Sequence, residues 1–167
     1  STDTTSLIGS DLGNNTDSWG EMVYLNGYVY SAPRTNQGQI LKIDTINDTT
    51  SLIGTDYGTS SGLKWIKGMV CSNGSVYWAP FSHGQILKLD PSDDTTTLVG
   101  TDYGTDAAKW YTFSEADNKM LYAIPVLADQ VLKLDPSTGI TTLIGDDYSA
   151  ITGTKAIEGV FATASLV

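Results

Sequence analysis

The chain has 167 residues, with 9 lysines and arginines against 19 aspartates and glutamates, so its net charge is −10. This charge argues against nucleic acid and anionic membranes as partners, because both require a basic surface, and no segment approaches the roughly 18 uninterrupted apolar residues of a membrane span. The single cysteine, Cys71, lies in an alternating apolar stretch and is expected to be a buried, unreactive thiol that forms no intrachain disulfide.

A repeat of 45 or 46 residues organises the chain, and it is first visible in the segment TTSLIG at residues 4–9. The leucine of this segment recurs at that spacing as Leu7, Leu52, Leu98 and Leu143. A tryptophan recurs in the same way as Trp19, Trp65 and Trp110, with Ala156 in the fourth place. A period of about 40 to 50 residues with short β-rich segments is typical of β-propeller blades. Residues 4–9 are therefore predicted to form an isolated outer strand.

Three complete copies of the repeat follow, over approximately 18–57, 62–103 and 107–148. Each copy contains four strand-like runs, labelled A (inner) to D (outer), and no window shows helical periodicity. Asn-Gly at 26–27 and 73–74 predicts a tight hairpin between strands A and B. The predicted fold is all-β, with four-stranded antiparallel blades. The apolar residues predicted to be buried between the sheets are Ile40, Leu52, Val76, Ile86, Leu98, Leu121 and Leu143.

The last predicted element is an isolated inner strand at 156–165. Residues 1–167 are thus expected to form one partial propeller, with three full blades between two lone strands. Propellers typically close with four to eight blades, so this arrangement leaves strand edges without hydrogen-bond partners. We expect self-association through the open edges, most simply as a homodimer, or a chain that is part of a longer repeat protein.

The sequence motifs of the repeat resemble the blades of NHL and YVTN β-propellers. The resemblance is carried by NGSVY at 73–77 and QILKLDP at 85–91, which have counterparts in the other copies. The third copy departs from the pattern, because residues 117–119 (DNK) replace the turn that contains glycine. The resemblance implies a propeller in which the D-to-A and B-to-C loops share one face, usually the binding face. It implies no particular activity, because propellers host many functions.

The D-to-A loops carry the pattern best suited to a binding site, in GTDYGTSSGLKW at 54–65 and GTDYGTDAAKW at 100–110. Aromatic rings beside carboxylates are how sugars are commonly held, because the rings supply apolar contact and the carboxylates accept hydrogen bonds from hydroxyls. The predicted ligand-binding residues are Asp56, Tyr57, Lys64, Trp65, His83, Asp102, Tyr103, Lys109 and Trp110.

A structural interpretation of the same residues competes with the functional one. In it, each Asp-Tyr-Gly caps a turn and packs its tyrosine between blades, each tryptophan belongs to the core, and His83 is a solvated loop residue. The sequence contains no HExxH, CxxC, P-loop or GxSxG motif. A non-enzymatic binding or interaction scaffold without a cofactor is therefore favoured, with a glycan or a protein as its ligand.

Two further alternatives stay open. One is a propeller enzyme, hydrolase-like or lactonase-like, with a metal in the central channel, although the acidic and basic residues of its inner strands do not occupy equivalent positions. These candidates are Glu21, Lys67, Glu115 and Glu158. The other is a purely structural fragment of a larger repeat protein. The sequons at Asn14, Asn47 and Asn73 slightly favour an extracellular setting, although a chain rich in Asn, Ser and Thr produces sequons by chance.

Overall fold

The computed structural model describes residues 5–12, 17–60, 62–106 and 108–155. Over these ranges the chain contains β-strands and no helix, which confirms the all-β prediction. The strands are β1 (Trp19–Leu25), β2 (Tyr28–Pro33), β3 (Ile40–Asp44), β4 (Thr49–Ile53), β5 (Gly68–Val70), β6 (Val76–Trp78), β7 (Ile86–Asp90), β8 (Thr95–Val99), β9 (Ser114–Glu115), β10 (Leu121–Ala123), β11 (Val131–Asp135) and β12 (Ile140–Ile144).

Each run of four consecutive strands forms one antiparallel sheet, so the described chain contains three sheets, here called blades 1, 2 and 3. The turns follow from local chemistry. Asn26 and Gly27 both adopt positive φ, 50° and 88°, as the two-residue turn between β1 and β2 requires. Lys119 takes the left-handed conformation, with φ 63°, where the third copy lacks the glycine. The three blades pack side by side and do not close into a ring.

The core lies between blades, because alternate residues of each strand point to opposite sheet faces. The first core cluster joins blades 1 and 2 and contains Tyr30, Ala32, Ile40, Ile53, Trp65, Val76, Trp78, Leu87 and Leu89. The second core cluster joins blades 2 and 3 and includes Met69, Cys71, Tyr77, Ile86, Trp110, Phe113, Leu121, Leu132 and Leu134. The predicted burial of Ile40, Val76, Ile86 and Leu121 is confirmed, and burial raises the pKa of the Cys71 thiol.

Two leucines that were predicted to be buried are not. Leu52 is 39% exposed and Leu143 is 41% exposed, whereas Leu98 is half-buried against the first core cluster. Leu52 pairs with Leu41 on the face of blade 1 that has no sheet against it in the described chain. Leu143 borders a pocket between the loops that contain Tyr103 and Ala128. The repeat period identified equivalent positions. Leu52 is exposed because no blade covers its face, whereas Leu143 lies on the face that blade 2 covers and is exposed through the pocket beside it.

The described part of the predicted outer strand, residues 5–9, makes no strand pairing. Strand D of a blade normally pairs with strand C, and no free C strand lies beside this segment in the described chain. The segment instead meets blade 1 near Thr50, whose Oγ1 accepts a hydrogen bond from the Ser10 amide at 3.1 Å. The predicted inner strand at 156–165 lies outside the described residues. The described part of the chain has no helix that is long and apolar enough to cross a membrane.

Candidate functional site at the loop face

The D-to-A loops lie directly on the B-to-C loops, so both sets occur at one end of the blades. The amide of Tyr57 donates to the Gly38 carbonyl at 3.0 Å, and the amide of Tyr103 donates to the Gly84 carbonyl at 2.8 Å. A Cβ atom on Gly38 would overlap the carboxylate of Asp56. Glycine is therefore required at Gly38 for this close approach between the two loops.

Asp56 and Asp102 cap their own turns. Asp56 Oδ1 accepts a hydrogen bond from the amide of Gly58, and Asp102 Oδ1 accepts one from the amide of Gly104, both at 2.8 Å. These bonds use one carboxylate oxygen of each aspartate in local structure. The arrangement matches the structural interpretation of the Asp-Tyr-Gly sequence.

Tyr57 and Tyr103 each link one blade to the next. The hydroxyl of Tyr57 lies 3.2 Å from Thr96 Oγ1, and the hydroxyl of Tyr103 lies 3.0 Å from Thr141 Oγ1. Both rings also pack edge-on against the tryptophan that follows them, with ring centroids 5.4 Å and 5.1 Å apart. The tyrosines therefore stabilise the contacts between blades, whatever else they bind.

Lys64 and Lys109 are buried cations that hold the D-to-A loops in place. The ammonium group of each donates to two backbone carbonyl oxygens at 2.7 to 2.9 Å: those of Gln37 and Gly58 for Lys64, and those of Gly104 and Asp106 for Lys109. Burial is the main cause that lowers the pKa of both ammonium groups. Their charges are thus committed to internal hydrogen bonds.

Trp65 and Trp110 belong to the core clusters, with exposed fractions of 0% and 2%. Each indole Nε1 donates at 3.0 Å to the backbone carbonyl of a glutamine, Gln85 for Trp65 and Gln130 for Trp110. Full burial together with a satisfied N–H is the usual state of a core tryptophan.

The glutamine that precedes each strand C has a structural role that was not predicted from the sequence. The side-chain amide of this glutamine donates to the carbonyl of the glycine that follows strand D, at 2.9 to 3.1 Å in all three blades. The residues are Gln39, Gln85 and Gln130. Their recurrence at the repeat period was a signal that could have identified them.

His83 is not the solvated loop residue that the structural interpretation expected. Its ring lies over Trp65 with centroids 4.4 Å apart, and its Nδ1 accepts a hydrogen bond from the Gln85 amide at 3.1 Å. Burial is the main cause that lowers the pKa of His83. The hydrogen bond with the Gln85 backbone and the charge of Asp102 oppose this shift, and the charges of Lys64 and Lys109 add to it. The imidazole therefore covers the tryptophan ring in its neutral form.

This environment predicts a pH dependence of stability. Because the folded state holds the pKa of His83 below its ordinary value of 6.5, the unfolded chain takes up a proton more readily, and stability is lost as pH falls through 6.5. Replacing His83 by Gln, the residue that blade 1 carries in this place as Gln37, should remove that loss. Urea unfolding of both proteins at about pH 7.5 and about pH 5 measures it. An identical pH dependence in both proteins would contradict the burial of the imidazole.

Blade 3 has Ala128 where blade 2 has His83, and a pocket lies at this place. The pocket has a volume of about 400 Å³. Its lining includes Tyr103, Asp106, Trp110, Ala128, Asp129 and Asp147. Tyr103, Lys109 and Trp110 are the predicted site residues that border it. Five of the other six, in the D-to-A loop after blade 1 and the B-to-C loop of blade 2, form the equivalent cluster in which His83 covers Trp65. The sixth, Asp102, does not border the pocket and lies against Gly84 of the B-to-C loop of blade 2.

The electrostatics of this pocket are acidic. Asp147 Oδ1 accepts a hydrogen bond from the Ser149 amide at 2.7 Å, which lowers the pKa of its carboxyl. Asp129 Oδ1 lies 2.9 Å from Lys155 Nζ in an ion pair. Both carboxylates can accept hydrogen bonds from a ligand while they keep these contacts, because an ionised carboxylate has about four acceptor sites.

The inner-strand residues considered for a metal site are engaged in separate contacts. Glu21 lies 3.6 Å from Lys67 in an ion pair and accepts a hydrogen bond from the Tyr111 hydroxyl. Glu115 accepts a hydrogen bond from the Ser72 amide at 2.7 Å. Within residues 5–12, 17–60, 62–106 and 108–155, no group of three or more His, Cys, Asp or Glu side chains could hold a metal ion. Glu158 lies outside the described residues.

The solved structures that resemble this chain include those of three proteins that differ in their stated roles. Virginiamycin B lyase from Staphylococcus aureus superposes with a TM-score of 0.59 at 14% identity, over 81% of this chain and 44% of that protein. The extracellular domain of BT3049, a hybrid two-component system protein of B. thetaiotaomicron, gives 0.56 at 14% identity, over 87% of this chain and 20% of that one. An auxiliary nutrient binding protein from Bacteroides thetaiotaomicron gives 0.50 at 12% identity, over 78% and 32%.

The chain spans less than half the length of each of these three neighbours. No protein-family profile and no curated protein matches the sequence. Likeness at 12 to 14% identity concerns the fold alone. Together with the three four-stranded antiparallel sheets, it shows that the chain has a β-propeller fold whose ring is incomplete.

Proposed function

We propose that the chain is a non-enzymatic ligand-binding unit of β-propeller type, and that its ligand occupies the pocket between Tyr103, Ala128 and Asp147. The observation that carries this proposal is the substitution of Ala128 for the histidine that covers the tryptophan in blade 2. The pocket opens at the loop face, where the resemblance places the binding surface. One of the structural neighbours is named as a nutrient binding protein, and a ligand-binding role is of the same general type.

The lining favours a carbohydrate. Asp106, Asp129 and Asp147 supply acceptors for sugar hydroxyls, while Tyr103, which is half-buried, supplies aromatic surface. Trp110 contributes only the small part of its ring that borders the pocket, because its side chain is almost fully buried. We also propose that the blades belong to the NHL and YVTN type, on the motifs at 73–77 and 85–91.

The Ala128→His variant tests this site. It places in blade 3 the side chain that His83 places in blade 2, so the pocket should be filled while the fold is kept. Binding is screened on a panel of immobilised glycans and then measured by titration calorimetry with a soluble oligosaccharide from the panel. We expect the variant to bind at least about tenfold more weakly than the native chain, because the histidine takes the volume of the ligand.

His83→Ala is the matched control, since it changes the equivalent position of blade 2 and leaves the Ala128 pocket untouched. Its affinity for the same oligosaccharide should equal that of the native chain. Equal affinities of Ala128→His and the native chain would place the ligand elsewhere. A native chain that binds no glycan of the panel would overturn the carbohydrate assignment and leave the structural alternative.

A further inference from the structure

Two sheet faces carry apolar side chains without a neighbouring blade in the described chain. On blade 1 this face includes Val29 and Ile43 with Met22 and Tyr24, the last two both 65% exposed. On blade 3 the opposite face includes Tyr122, Val131 and Ile144. Exposed apolar surface of this extent indicates an interaction site.

The two faces are complementary because the chain already contains two interfaces of the same design. In the first, Tyr30 and Ile40 of blade 1 pack against Val76 and Leu89 of blade 2. Blade 3 presents Tyr122 and Val131 at the positions of Tyr30 and Ile40, and blade 1 presents Val29 and Ile43 at the positions of Val76 and Leu89. The free face of blade 3 is thus matched to the free face of blade 1.

A pocket on blade 3 lies at the position where, on blade 2, the tryptophan of the next blade packs. It measures about 290 Å³ and is lined by Ile124, Pro125, Val131, Tyr148, Ile151 and Lys155. At the equivalent place on blade 2, Trp110 of the next blade packs against Tyr103, and its amide donates to the Pro80 carbonyl. The chain has Ala156 in the fourth place of the tryptophan series, whereas Trp19 of blade 1 is only half-buried.

An ion pair fixes the register of the interface between blades 1 and 2, and an equivalent pair can form between the two free faces. Lys42 Nζ on blade 1 lies 2.7 and 2.8 Å from the carboxylate oxygens of Asp94, in the C-to-D turn of blade 2. The equivalent lysine of blade 3 is Lys133, and the equivalent aspartate of blade 1 is Asp48. Asp48 and Asp94 share the left-handed conformation, with φ 56° and 59°. Neither Lys133 nor Asp48 has an ion pair within the described residues.

We propose that the free face of blade 3 binds the free face of blade 1 of a second copy, with Lys133 paired with its Asp48. Because each copy has three blades, two copies related by a twofold axis form a ring of six. This number lies within the four to eight blades with which propellers typically close. The proposal is independent of the ligand pocket beside Ala128.

The N-terminal segment occupies the place that the second copy would take on blade 1. The Ser10 amide donates to Thr50 Oγ1 just as the Thr55 amide, at 2.8 Å, donates to Thr96 Oγ1. The segment has Leu12 where the other loops have a tyrosine, so it lacks the second hydroxyl contact. In the dimer, Tyr148 of the second copy supplies this hydroxyl contact, which favours displacement of the N-terminal segment.

Sedimentation velocity and light scattering of the full chain over a wide concentration range test the association. A dimer that dissociates to a monomer on dilution is the expected result. A monomer at every concentration would overturn the proposal, since the faces would then be covered by other blades of a longer chain or by solvent. Oligomers that grow without limit would also overturn it, because the ring would not close.

Charge reversal identifies the contact. Lys133→Glu and Asp48→Lys each place like charges at both interfaces, so each variant alone should dissociate about tenfold to a hundredfold more readily than the native dimer. An equimolar mixture should regain the dimer, because in the mixed pair the introduced glutamate faces the introduced lysine at one interface, and the native pair meets at the other. Lysine is acceptable in this backbone conformation, as Lys119 shows with φ 63°.

Lys88→Glu is the matched control, because it changes the net charge equally at the equivalent lysine of blade 2, which faces Gly139 inside the chain. It should dimerise like the native chain. Thermal unfolding confirms that each variant is folded before the mixture is made. Equal dissociation of the native chain and both single variants, or a mixture that stays monomeric, would show that these faces do not meet.

Discussion

Replacing Trp110 by alanine is expected to lower the free energy of unfolding by about 3 to 5 kcal/mol, as the loss of a large buried side chain does. Trp110 is 2% exposed, packs edge-on against Tyr103 and donates its indole N–H to the Gln130 carbonyl. The variant loses all of these contacts and leaves a cavity between blades 2 and 3. Chemical denaturation followed by circular dichroism, without ligand, measures the change.

Trp65→Ala should cost a similar amount at the equivalent position between blades 1 and 2, because Trp65 is fully buried. Ile46→Ala is the control, since Ile46 is 82% exposed and the change should stay within about 0.5 kcal/mol. If Trp110→Ala changed stability by less than about 1 kcal/mol and abolished ligand binding, the ring would belong to the site and not to the core.

Replacing Gly20 by alanine should destabilise the chain by about 1 to 3 kcal/mol, the usual cost of forcing extra atoms into a packed interior. A Cβ atom on Gly20 would overlap the backbone carbonyl oxygen of Ile66 in the neighbouring blade. That oxygen accepts a hydrogen bond from the Glu21 amide at 2.7 Å, so it cannot move away without breaking the contact between blades 1 and 2. Urea unfolding measures the loss.

Gly139→Ala provides the comparison for Gly20→Ala. A Cβ atom at Gly139 meets nothing within 4 Å, and its φ of 74° leaves only the strain of the left-handed backbone, which costs about 1 kcal/mol. A Gly20→Ala variant that unfolds at the same urea concentration as the native chain would show that the two inner segments are farther apart than the 2.7 Å hydrogen bond implies.

The strands and turns of this protein were predictable from its sequence because they depend on local chemistry. The adjacent apolar residues in QILKLD place apolar side chains on both faces of a strand, and Asn26 with Gly27 encodes a two-residue turn, without reference to distant residues. Repetition at 45 or 46 residues then implied that the copies pack against each other in the same way. Residues 5–9 show the limit of this reasoning, because a strand needs a partner with a free edge, and none lies beside them in the described chain.

The candidate site depended on contacts that local patterns do not record. Lys64 looked available to a ligand until the fold placed the Gln37 carbonyl, 27 positions earlier in the chain, 2.9 Å from its ammonium group. The cost of a side chain at Gly20 follows only from the position of Ile66 in the next blade. The sequence alone thus determined the repeating unit, because hydrogen bonding and side-chain alternation act within a blade. The tertiary structure decided which equivalent residues are buried, since that depends on what lies against each blade: His83 covers Trp65, whereas Ala128 leaves a pocket beside Trp110.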